Sequence, residues 1–98
     1  MERVRARYNF AQFMLQTRPP DPRLADRMVE AARQQLEAVL EEAPAYYRAH
    51  ILLGNICFMR EDTLGARDHL RQALSLMPLA GTETERQRVG RLLESLSK

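Results

Sequence analysis

Two stretches of the chain echo each other at a separation of 34 residues: Ala32, Leu36, Val39 and Pro44 stand 34 positions before Ala66, Leu70, Ala73 and Pro78. In each set the first three residues sit at i, i+4 and i+7, the spacing of one helical face. The proline then ends the helix, because it lacks an amide hydrogen and pushes the residue before it toward extended backbone. Repetition at this length, closed by a helix terminator, calls for an all-α fold built from helical hairpins.

The stretch Tyr47 to Pro78 reads as one complete hairpin, with marker positions His50, Leu53, Gly54, Cys57, Ala66, Leu70, Ala73 and Pro78. Gly54 would let the second helix cross against bare backbone. Ala66 and Ala73, seven residues apart, would let the two helices lie closer than larger side chains permit. This spacing resembles the tetratricopeptide repeat, a helix-turn-helix unit of about 34 residues marked by a Leu-Gly pair, two alanines and a closing proline. The departures are His50, where that family usually has an aromatic, and Cys57, where it usually has tyrosine. Both suggest a looser core within the repeat.

The remaining segments read as a copy and a cap of this unit. From Arg3 to Thr17, apolar residues at Val4, Tyr8, Ala11, Met14 and Leu15 have helical spacing, and Phe10-Ala11 take the place of Leu53-Gly54. Asp21-Pro22 is a helix start: the carboxylate accepts free first-turn amides, and proline fits where no amide bond is needed. A helix is expected from Pro22 to about Glu42 with the core stripe Leu24, Met28, Ala32, Leu36, Val39 and Leu40. Phe10-Ala11 lie 43 positions before Leu53-Gly54, so the first repeat, about 3–44, holds nine extra residues near 18–26, read as a structural variation or a corner that touches a partner. The second repeat covers 45–78. After the connection Leu79-Ala80-Gly81, Thr82 and Glu85 should form a capping box for a helix Glu83 to Leu96 that repeats the small-residue idea at Val89-Gly90. This capping helix, within 82–97, would cover the last apolar face with Leu92 and Leu96. The expected architecture is one domain, 1–98, of five helices in a tetratricopeptide-like hairpin array.

Chemistry finds little purchase here. His50, Cys57 and His69 invite a metal or nucleophile argument but have no recognised zinc spacing, and His50 and Cys57 fall where the resemblance implies internal packing. There is no phosphate-cradling glycine loop and no nucleophile elbow, and Glu41-Glu42 is most simply a solvated helix end. No enzyme activity, cofactor or metal is expected. Cys57 is the sole cysteine, so no internal disulfide can form. Met1 to Arg7 is polar and charged, unlike a secretory signal, and no stretch approaches the roughly 20 apolar residues of a membrane span. A soluble, cytoplasmic protein without membrane insertion is expected. The net charge is only +2; basic residues are spread among acidic ones, without the aromatic interleaving that stacks bases, which argues against nucleic acid.

What the tetratricopeptide resemblance implies is a protein-binding module or adaptor that takes a partner's peptide or helix in a concave groove lined by first helices. Its usual contact positions fall on Arg48, Ile51, Asn55, Phe58 and Met59 in the second repeat. In the first they fall on Arg5, Tyr8, Gln12, Leu15 and Gln16, and in the cap on Gln87 and Arg91. These would pair with carboxylates through arginine, hydrogen-bond an extended backbone through Gln12 and Asn55, and anchor apolar side chains. The branch that clamps chaperone C-terminal tails is not matched, since Tyr8, Leu52 and Thr84 stand at its Lys, Asn and Lys positions and only Gln12 and Arg88 come near. The alternative is homo-oligomerisation or an assembly scaffold. Ile56 and Leu92 can pack against a preceding repeat, whereas Phe13 has none before it, so an edge at Ala6, Phe13 and Thr17 should be covered by another copy, a partner or further chain.

Overall fold

The computed structural model describes residues 2–17, 19–78 and 82–96. Those residues form five α-helices and no strand: α1 (Glu2–Gln16), α2 (Pro22–Glu42), α3 (Tyr47–Met59), α4 (Thr63–Leu76) and α5 (Glu83–Leu96). The chain divides into two compact units, Met1–Pro44 and Ala45–Lys98. The Leu79-Ala80-Gly81 connection lies outside the described residues.

In the first unit α1 and α2 run antiparallel. Arg3 pairs with Glu42 at 3.5 Å, and Arg7 donates to Gln35 at 3.1 Å. Asp21 caps α2 as its sequence predicts, its carboxylate accepting from the Arg23 amide at 3.0 Å. Val4, Ala11 and Met14 on α1 and Ala32, Leu36 and Val39 on α2 are buried. One expected core position is not. Leu24 is exposed, because the register that sets Arg7 beside Gln35 carries the first turn of α2 past the end of α1. Phe10 is 55% exposed where its counterpart Leu53 is 3% exposed. One helix packed on α1 buries one stripe, and Phe10 lies about 100° round from Ala11.

In the second unit α3 and α4 form an antiparallel hairpin. The close approach expected at Gly54 is present: a Cβ there would lie 2.9 Å from Leu70 Cγ and 3.0 Å from its Cδ2. The turn is a Schellman motif, with the Asp62 amide donating to the Cys57 carbonyl at 2.8 Å and the Glu61 amide to Phe58 at 3.1 Å. Glu61 takes the left-handed conformation, φ 61°, that glycine usually fills. Asp62 then caps α4 by accepting from the Gly65 amide at 3.0 Å. A side chain at Gly65 would strike that cap, its Cβ 2.9 Å from Asp62 Cγ. Before Pro78, Met77 is extended and ends α4, as expected.

Helix α5 covers the open side of this hairpin. Val89 joins Leu70 and Met77 in a buried cluster against which Leu92, Leu93 and Leu96 pack, together with Tyr47, Ile51 and Leu74. Leu92 and Leu96 thus provide the cover their spacing predicts. The expected capping box gives way to other partners: the Thr82 hydroxyl donates to the Pro78 carbonyl, and the Glu85 carboxylate lies 3.6 Å from Arg48. Gly90 also differs from its reading as a packing glycine, since nothing among the described residues lies within 4 Å of a Cβ placed there. Its only effect on α5 is the backbone freedom it must lose. Gly90→Ala is therefore expected to stabilise the chain by about 0.5–1 kcal/mol, read as a higher midpoint in urea with unchanged slope.

Candidate functional site

The five positions Arg48, Ile51, Asn55, Phe58 and Met59 fall on one side of α3, while Ala49, Leu53 and Ile56 on its other sides are buried. Asn55 is exposed, and Phe58 and Met59 are each 49% exposed at the carboxyl end of the helix. Two members are already engaged inside the unit. Ile51 packs on the Leu70, Met77 and Val89 cluster, drawn in by α5. Arg48 reaches Glu85, and its guanidinium stands 5.6 Å from the Tyr47 ring centroid. The free apolar surface of α3 is therefore concentrated at Phe58 and Met59, with Asn55 one turn before. Gln87 and Arg91 are exposed on α5.

In the first unit Arg5, Tyr8, Gln12 and Leu15 follow one stripe of α1 at i, i+3, i+7 and i+10. Arg5 is exposed and the other three are half-buried; Gln16 is exposed. The expected edge residues Ala6, Phe13 and Thr17 are all exposed, Phe13 by 64%. Phe10 belongs with them, although the resemblance only set it in the place of Leu53 and did not count it in the edge. The available signal was its spacing, four after Ala6 and three before Phe13. On α2, Arg33 donates to Glu30 at 3.0 and 3.1 Å and also to Glu37. The Glu30 hydrogen bond, opposed by desolvation and aided by Glu37, holds the guanidinium above its ordinary range. That cation is satisfied by its own helix.

The two histidines meet inside the α3–α4 hairpin: His50 Nδ1 and His69 Nδ1 are 3.2 Å apart, with ring centroids 5.4 Å apart. A hydrogen bond between them requires one nitrogen to donate and the other to accept, so one ring is neutral at that atom. His50 is buried, as its core position implies, and Cys57 is half-buried. Cys57 lies at the Gly65 end of the hairpin, 3.0 Å from where a Gly65 Cβ would stand, two turns along α3 from His50. Among the described residues no three His, Cys, Asp or Glu side chains gather to hold a metal ion, and no helix is long and apolar enough to cross a membrane. A depression of about 250 Å³ is lined by Ala45, Tyr46, Tyr47 and Arg48. No protein-family model, no curated protein and no solved structure matches the chain.

Proposed function

We propose that the chain is a tetratricopeptide-like adaptor that holds a peptide or helix of another protein and performs no chemistry of its own. The observation that carries this reading is the outward side of α3. Phe58 and Met59 stand half in water beside Asn55, on a helix whose other sides are packed. Two large apolar side chains kept at a surface cost nothing in folding if left alone, yet they gain on burial by a partner. The thioether of Met59 adapts to varied shapes. Asn55 supplies both a donor and an acceptor, which suits the backbone of a bound peptide. Further support comes from the repeated Ala, Leu and Pro positions and from the close approach at Gly54, both of which a tetratricopeptide-like hairpin uses.

The test is selection of binders from a random-peptide display library on the intact chain. Phe58→Ala and Met59→Ala are each expected to weaken a selected peptide by about tenfold or more, as for a contact at the centre of an interface. Asn55→Ala should weaken it less, and Phe13→Glu should leave it unchanged. A library that yields no binder, or binders indifferent to both Phe58 and Met59, would contradict the reading.

A further inference from the structure

His50 and His69 are the chain's two histidines, and the α3–α4 hairpin brings them together. Their Nδ1 atoms are 3.2 Å apart and their ring centroids 5.4 Å apart. The second distance exceeds the first by nearly two ring radii, so the nitrogens point at each other. His50 is 6% exposed and His69 half-buried. One Nδ1 donates and the other accepts, and a first positive charge can form on the outer nitrogen of the donating ring without loss of that bond. A second charge has to be placed on the accepting Nδ1. That leaves no acceptor between the rings and sets two cations in contact at a buried position, where their repulsion is least screened.

We propose that this pair is an acid-operated clasp: it holds the α3–α4 hairpin closed at neutral pH and loosens it in mild acid, when both rings become charged. In the unfolded chain both imidazoles take up protons at about pH 6.5, whereas the closed hairpin accepts one charge and resists the second. Below that pH the unfolded chain binds more protons, so stability is present above it and is lost as pH falls through it. Other titratable and charged groups stand around the pair. On α3 the phenols Tyr46 and Tyr47 lie one turn before His50, and the Cys57 thiol lies two turns after it. On α4, Asp68 adjoins His69 and accepts from Gln72 at 2.9 Å, while Arg67 and Arg71 stand nearly opposite His69 round the helix. On α5, Glu85 lies by Arg48, and Arg86 donates to the Met77 carbonyl at 2.8 Å. Imidazole is the one side chain among these types whose ordinary titration falls between about pH 5 and 8.

The test is urea unfolding of the intact chain, followed by circular dichroism at steps between about pH 7 and pH 5, a range above the ordinary titration of carboxylates. The folded-to-unfolded ratio is expected to fall by up to about tenfold per pH unit below about pH 6.5, the limit for one proton taken up on unfolding. The chain has no other histidine, so a loss in this range belongs to the pair. His50→Leu keeps a side chain of similar volume but removes the facing ring, and should leave stability nearly flat over the same range. NMR of the imidazoles in the wild-type chain gives a readout that does not depend on how the variant folds. Each ring should report two steps of proton uptake, because the charge on one is felt by the other, and at neutral pH one Nδ1 should carry a proton and the other none. Wild-type stability that is flat across the range overturns the proposal. So does a slope unchanged in His50→Leu, or a pair of rings that each titrate in one independent step.

Discussion

Leu70→Ala is expected to destabilise the Ala45–Lys98 unit by about 3 kcal/mol, within the roughly 2–5 kcal/mol typical of a large-to-small change in a core. Leu70 is fully buried and sits where three elements share one cluster. It packs under Gly54 of α3 and joins Met77 and Val89, with leucines of α5 and Tyr47 and Ile51 of α3 around it. Removing three carbons there takes away their burial and leaves a space bounded by α3, α4 and α5. Urea unfolding followed by circular dichroism would register the loss as a lower midpoint. A variant as stable as the wild type would mean that α5 does not pack on this cluster in solution.

The second large effect concerns Gly54. Its missing side chain is what lets α4 approach, so Gly54→Val forces either Leu70 out of its place or the two helices apart. The expected cost is about 2 kcal/mol, typical of overpacking. Propensity pulls the other way, since glycine is the poorer helix former by up to about 1 kcal/mol, and a double-mutant cycle separates the two effects. With Leu70→Ala in the background, the atoms that a Cβ at Gly54 would strike are gone, and the next neighbour, the Ala66 carbonyl oxygen, is at an ordinary 3.5 Å. Gly54→Ala should then stabilise, whereas in the wild-type chain strain against Leu70 opposes that gain. A coupling of at least about 1 kcal/mol is expected for residues in such contact. Additive effects would show that Gly54 is not a packing site.

The contrast between Gly54 and Gly90 shows where pattern reading holds and where it stops. Both follow a β-branched or aliphatic residue in a helix, and sequence alone treats them alike. What separates them is whether another helix crosses at that point: α4 does so at Gly54, while none of the described residues stands over Gly90. Helix ends were more legible, because their causes are local. Asp21 and Pro22 start α2, and Pro78 turns Met77 out of α4, as residue chemistry dictates. Thr82 and Glu85 illustrate the limit of such local rules, since each found a partner outside its own turn, Thr82 at Pro78 and Glu85 at Arg48.

The candidate site was legible in the same uneven way. The contact positions that the tetratricopeptide resemblance implies, Arg48, Asn55, Phe58 and Met59, fall on one side of α3. The resemblance did not show that α5 draws Ile51 into the core and ties Arg48 to Glu85, because both depend on where a helix more than 30 residues away comes to rest. Phe10 was left out of the expected edge for a related reason. The resemblance set it in the place of Leu53, which is buried, but α1 has one neighbour in its unit and buries fewer faces than a helix packed by others.

The measurement that tests the central claim most directly is the amide and methyl NMR spectrum of the chain titrated with a peptide selected for binding. If the outward side of α3 is the polypeptide-binding surface, the largest shifts will fall on Asn55, Phe58 and Met59, with the Met59 methyl among them. Shifts confined to α1 or α2, with those three residues unmoved at saturation, would contradict the account.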